Sequence, residues 1–169
     1  LPLTFHHELF HHLDGASGFT DDDAGFAAAV AGTSRYPGLA LTAADLAALA
    51  ARAGAPLTDA VGDYAAKSAG EDQAETARWL HSHLATGLWQ AAAKPELAGS
   101  QRVLHVLAEY ARAGRGGPDA AYLVDLALGR DPTARPGRSG FAAAAVAAEQ
   151  GLRAYSASTC RTVSYTHLR

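Results

Sequence analysis

The sequence has no methionine, a single cysteine, two lysines and few aromatic residues. The sole cysteine, Cys160, excludes a disulfide within the chain and leaves the redox compartment open. No apolar run approaches the roughly 20 residues that a transmembrane helix needs, so we expect no membrane-spanning segment. The formal net charge is −3 and no long basic stripe is present, which argues against nucleic acid as a partner.

The missing methionine also bears on the two ends of the chain. A natural translation start is methionine, so we expect Leu1 to lie inside a longer protein, with any targeting segment upstream. The closing stretch VSYTHLR (163–169) looks like translated sequencing-adapter read-through. We therefore rest no functional argument on residues 161–169.

What the chain does contain favours helices. About half of its residues are apolar (49%) while only 8% are aromatic, and alanine is abundant, a composition typical of closely packed helices. Thr42, with Asp45 three residues later, predicts a capped helix start, and Gly54 predicts its C-terminal cap. No stretch reads convincingly as a strand. Further helices are predicted over residues 3–13, from Thr20, and over 71–88, 95–113, 119–128 and 140–154.

We thus predict a mostly α fold with three parts before the adapter-like tail. The first is a domain over residues 1–113, and the glycine-rich stretch GRGGP at 114–118 is the predicted linker. The third part, residues 119–160, is a helical extension to which we assign no role.

The stretch TFHHELFHHLDG near the start contains an H-E-x-x-H motif, His7 to His11. Residues four apart on a helix face the same way, so His7 and His11 can converge on one zinc ion. Glu8 can then act as general base towards a water that the zinc activates. The competing interpretation is a solvated amphipathic helix whose histidines are incidental.

A catalytic zinc site normally has three protein ligands, and residues 63–78 offer a candidate third. Glu71 and Glu75 are four apart at the start of a predicted helix, so one can bind zinc while the other accepts the N–H of a ligand histidine. Asp72 points about 100° away on that helix, which makes it a poorer ligand than Glu71. Tyr64 lies seven residues before Glu71, on the predicted loop leading into that helix, where its phenol could donate to an oxyanion. Ordinary acidic enrichment in a first helical turn and a packing aromatic are the alternatives.

Taken together, H-E-x-x-H, a downstream tyrosine, and a glutamate seven residues later followed by x-x-Ala-Glu resemble the gluzincin zinc metallopeptidases. The likeness extends to the catalytic domain of anthrax lethal factor and related bacterial zinc peptidases, including Asp14 three residues after the second histidine. The resemblance implies that the zinc ligands are His7, His11 and Glu71, and that Glu8 is the general base. It also implies that Tyr64 donates to the oxyanion and that Glu75 is the hydrogen-bond partner of His7. Asp14 would be a buried hydrogen-bonding residue near the site.

The resemblance covers roughly residues 4–112 and implies a fold and a function. It implies the C-terminal, helical part of a zincin-like domain, whose small β-sheet would lie upstream of the first motif helix. It also implies Zn²⁺ as cofactor, a protein or peptide as substrate, and a bacterial parent protein that is secreted or attached to the cell surface. The rival hypothesis is a non-enzymatic helical binding module, either a degenerate zincin or a chain with an incidental motif.

Overall fold

A computed structural model of the chain describes residues 3–16, 23–112 and 119–134. Within these ranges it contains eight α-helices, one short 3₁₀ helix at Pro132–Ala134 and no strand, so the predicted mostly α fold is confirmed. The helices are α1 (Leu3–Ala16), α2 (Asp23–Val30), α3 (Ala43–Ala50), α4 (Gly62–Ala65), α5 (Ala69–Ser82), α6 (Leu84–Ala93), α7 (Ala98–Arg112) and α8 (Ala120–Leu128).

The predicted N-terminal cap of α3 is present, but its predicted C-terminal cap is not. The Thr42 hydroxyl accepts a hydrogen bond from the Asp45 backbone N–H at 3.1 Å, as its sequence position predicted. The predicted C-terminal cap at Gly54 is wrong, because the helix ends at Ala50 with Ala51 as its cap. The Gly54 N–H instead donates to the Thr86 hydroxyl at 2.8 Å and ties the following loop to α6.

The helix predicted over residues 71–88 is in fact two helices, α5 and α6. His83 joins them with φ −133° and ψ 40°, outside the helical region, so the chain changes direction there. Gly87 permits the close packing that follows, since a Cβ atom at that position would lie 2.6 Å from Leu80 Cδ1. Tertiary packing of α6 against α5 therefore overrides a local pattern that favours one continuous helix.

Helix α5 lies at the centre of the packing. One side of it contacts α1 and another contacts α7, while α2 packs on α7, and α6 packs against α3, α7 and α8. The apolar side chains buried between these helices form the hydrophobic core. Its largest fully buried members are Phe10, Leu49, Leu80, Leu88, Leu123, Val103, Val106 and Val124.

The chain divides into two compact units, Leu1–Pro132 and Thr133–Arg169. Helix α8 belongs to the first unit and packs against α3 and α6, so that unit continues past the predicted linker at 114–118 and includes the start of the predicted extension. The linker itself, the predicted helix at 140–154 and the tail at 161–169 lie outside the described residues.

Helices α1, α5 and α7 also meet through three polar rings, of which Tyr110 is buried and His6 and His81 are half-buried. The imidazoles of His6 and His81 stack with centroids 3.9 Å apart, and the Tyr110 hydroxyl lies 3.1 Å from His81 Nε2. Burial lowers the pKa of His81 to about 4, with a smaller contribution from His6. With its pKa lowered, the His81 imidazole is neutral near pH 7, and its Nε2 atom can accept a hydrogen bond from the Tyr110 hydroxyl.

We expect the folded protein to lose stability in mild acid because of His81. An unfolded chain protonates this histidine near its ordinary pKa of 6.5, whereas the folded chain resists protonation until about pH 4. The unfolded state therefore binds more protons between these values, and the free energy of unfolding falls as the pH falls, by up to about 3 kcal/mol. Urea denaturation across this range measures the slope.

The matched variants are His81→Gln and His83→Gln, two residues apart on the same segment. His83 is exposed and lies outside the contacts among His6, His81 and Tyr110, so His83→Gln is the control for the dependence of the unfolding free energy on pH. His81→Gln is expected to flatten that dependence. Equal slopes in both variants would show that His81 is not the group responsible.

Candidate metal centre

Helix α1 brings the two motif histidines together on one face. His7 and His11 are one turn apart, and their ring centroids lie 4.8 Å from each other at an interplanar angle of 80°. His7 is buried, whereas the His11 side chain is 36% exposed. The pair thus runs from the protein interior towards its surface.

Helix α5 presents two carboxylates to this face of α1. The Ser68 hydroxyl accepts a hydrogen bond from the Glu71 N–H at 3.2 Å and begins the helix, which places Glu71 in its first turn. Glu75 follows one turn later on the same face. Because α1 packs along α5, both carboxylates reach the histidines.

The two histidines meet at one oxygen of Glu71. Glu71 Oε2 lies 3.1 Å from His7 Nε2 and 3.4 Å from His11 Nε2. One donor atom from each of the three residues falls within 4.8 Å of the others. Tetrahedral coordination at about 2.0–2.1 Å places ligand atoms about 3.3 Å apart, close to the separations of Glu71 Oε2 from the two histidine nitrogens. His7, His11 and Glu71 could therefore hold a metal ion.

Glu75 lies behind His7, on the side away from Glu71. Its Oε1 atom accepts a hydrogen bond from His7 Nδ1 at 2.8 Å, in the buried part of the site. With the proton held on Nδ1, the lone pair of Nε2 is directed towards Glu71, which is the tautomer that a metal-binding imidazole requires. The structure thus places Glu75 beside the histidine with which it was expected to interact.

No protein-family model, curated protein or solved structure matches this chain. The roles of these residues are therefore argued from the geometry of α1, α4 and α5. No helix in the described part of the chain combines the length and apolar character required to cross a membrane.

An open cavity of about 220 Å³ lies beside His7, and its lining includes Glu8 and Tyr64, the two expected catalytic residues. Glu8 is exposed at this cavity, and the Tyr64 ring centroid lies 5.8 Å from that of His7. The expectation that Tyr64 sits in a loop is wrong, since it lies in the short helix α4. The cavity is lined by Thr4, His7, Glu8, Tyr64, Glu75 and Arg78.

Tyr64 is 45% exposed and carries a cation over its outer face. The Lys67 Nζ atom lies 3.8 Å from the ring centroid, a cation–π distance. The same ring thus contacts both Lys67 and His7. The Tyr64 side chain can be reached from solvent.

The acidic residue next to Glu71 on α5 is held away from the histidines. Both carboxylate oxygens of Asp72 accept hydrogen bonds from Arg102 Nε on α7, at 3.0 and 3.1 Å. Burial raises the pKa of Asp72 despite the opposing effect of this guanidinium. The pair fastens the first turn of α5 to α7. The side chain of Asp14, expected near the site, lies outside the described part of the structure.

Two residues at the cavity were not predicted from the sequence. Arg78 contacts Glu75 through Nε at 3.0 Å and through Nη2, and Thr4 lines the cavity next to His7 and Glu8. Both carry a signal in helical spacing, because Arg78 is three residues after Glu75 and Thr4 is four residues before Glu8.

Proposed function

We propose that this chain is part of a zinc metallopeptidase that hydrolyses peptide bonds. The observation that carries the proposal is the convergence of His7, His11 and Glu71, with the exposed Glu8 at the adjoining cavity. Three protein ligands and an open side form the usual arrangement of a catalytic zinc. The geometry of this chain supports the metal site itself. That the substrate is a peptide is proposed from the resemblance to the gluzincins.

The donor set narrows the choice of metal without fixing it. Two imidazoles and one carboxylate suit zinc, and the same set suits Fe(II) in oxygenases. Glu8 favours zinc hydrolysis, because a carboxylate next to a ligand histidine is placed to move the protons that hydrolysis requires. Metal analysis of the purified chain distinguishes the two ions.

In this proposal each residue around the cavity would have its own part in the hydrolysis. Zinc, when bound, lowers the pKa of water and polarises a carbonyl group. Glu8 takes a proton from the attacking water and delivers it to the leaving amine. Tyr64 donates its phenolic hydrogen to the carbonyl oxygen as that oxygen gains negative charge. Glu75 keeps His7 oriented through the Nδ1 hydrogen bond.

The test is hydrolysis and its dependence on metal. We expect the purified chain to hold one zinc and to cleave members of a quenched-fluorescence peptide mixture. Removing zinc with a chelator should abolish cleavage, and adding zinc back should restore it while magnesium does not. One tightly held zinc without cleavage of any peptide would favour the non-enzymatic binding module. A chain that holds no metal would contradict the zinc site and the peptidase together.

A further inference from the structure

Arg78 is the charged residue at the cavity for which the proposed chemistry has no role. It lies on α5, one turn after Glu75, and its side chain is 34% exposed. Its Nε atom donates to Glu75 Oε2 at 3.0 Å, and its Nη2 atom contacts the same oxygen. The other oxygen of that carboxylate, Oε1, accepts the Nδ1–H of His7. The three side chains thus form a continuous series from Arg78 through Glu75 to His7.

We propose that Arg78 is a positioning residue that acts on the metal centre through Glu75. The inference rests on the proposed function only in taking His7 as a metal ligand. Arg78 contacts Oε2 of the Glu75 carboxylate, which leaves Oε1 as the acceptor for His7. The rotamer of Glu75, and with it the ring orientation of His7, is thereby fixed from behind.

Burial explains why such a partner is needed. The Glu75 side chain is only 9% exposed, and a buried carboxylate is unfavourable unless it is paired and hydrogen-bonded. Arginine supplies a permanent charge, and its planar fork can place two donors on one oxygen. Without Arg78 the carboxylate would be free to rotate towards water at the cavity and to leave His7.

The experiment measures zinc affinity of the full chain by competition with a chromophoric chelator. Glu75→Gln is expected to weaken binding about 10- to 100-fold, and Arg78→Gln about tenfold because its effect is indirect. Arg78→Lys should restore part of the affinity. The control is Arg52→Gln, which removes a hydrogen bond to the Ala127 carbonyl outside the set of cavity-lining residues and should leave zinc affinity unchanged.

The double variant Glu75→Gln/Arg78→Gln decides whether Arg78 acts through Glu75. If it does, the double variant binds zinc no more weakly than Glu75→Gln alone. Losses that multiply would mean that Arg78 acts on the metal independently, and an unchanged affinity in Arg78→Gln would mean that it does not act. Either result overturns the proposal.

A second readout needs no metal and separates this inference from the proposed function. In the metal-free Glu71→Ala chain, where His7 Nε2 has lost its own carboxylate partner, ¹⁵N chemical shifts report which nitrogen of the neutral His7 ring carries the proton. With Arg78 intact this chain is expected to hold the proton on Nδ1, and adding Arg78→Gln is expected to give a mixture of both tautomers. If wild type binds no zinc, the metal centre fails while this measurement still tests Arg78. An unchanged Nδ1–H tautomer on adding Arg78→Gln would overturn the positioning role.

Discussion

Replacing Glu71 with alanine is expected to weaken zinc binding by two to three orders of magnitude while the chain stays folded. The Glu71 Oε2 atom is where the two histidine nitrogens meet, so its loss leaves only a pair of imidazoles on α1. Structural zinc sites with four ligands bind with about 10–16 kcal/mol, so an equal share for each ligand is about 2.5–4 kcal/mol. Chelator competition and metal analysis measure the difference.

The fold should tolerate this change because Glu71 is not part of the core. Its side chain is 25% exposed, and the N-terminal cap of α5 comes from the Ser68 hydroxyl and the backbone N–H of residue 71, both of which survive. Glu96→Ala is the matched control, since it removes an exposed glutamate from the turn between α6 and α7. Zinc affinity that is equal in Glu71→Ala and wild type would exclude Glu71 as a ligand.

Spacing within one helix was enough to predict which candidate residues share a face. His7 and His11 on α1, and Glu71 and Glu75 on α5, are each four residues apart, and helical geometry alone puts each pair on one face. Whether the two faces meet is a question of tertiary packing across 60 residues of chain. The contact of α1 with α5 answers it, and no local pattern contains that information.

The wrong predictions of helix ends also arise from tertiary packing, which the local sequence does not show. At His83 the chain turns so that α6 packs against Leu80, and after the early end of α3 the Gly54 N–H bonds to Thr86 of α6 instead of capping the helix. Arg78 is a different case, because its i,i+3 relation to Glu75 was visible in the sequence. Such pairs are common on exposed helix faces and contribute little there, so spacing alone gave no reason to select it. Burial of Glu75 is what makes the contact significant.

The site is graded from a buried end to an open one. His7 and Glu75 are almost fully buried, Glu71 and His11 are half-buried, and Glu8 and Tyr64 are exposed at the cavity. Groups that must keep one orientation are thus enclosed by protein, and the groups proposed to act on substrate face solvent. A helix that bound metal only for structural reasons would not require the open end, since structural zinc sites are closed.

Glu8→Gln is expected to lower kcat for peptide hydrolysis by about 10²–10⁴-fold and to leave zinc affinity nearly unchanged. Glutamine has the shape of glutamate but cannot take up a proton from the attacking water. Glu8 is exposed and is not one of the three residues whose donor atoms converge, so the metal ligands should be undisturbed. The assay is cleavage of whichever peptide wild type hydrolyses, with zinc content measured on the same samples.

The pattern of kinetic change distinguishes a base from a residue that only binds substrate. A base acts in the transition state, so kcat should fall while KM changes little, whereas loss of substrate contact would raise KM with kcat preserved. Glu96→Gln is the control for the same chemical change at an exposed position outside the cavity. Loss of zinc together with activity in Glu8→Gln would assign Glu8 to the metal instead. Full activity with zinc bound would remove it from the mechanism, and the H-E-x-x-H motif would then explain only the two histidines.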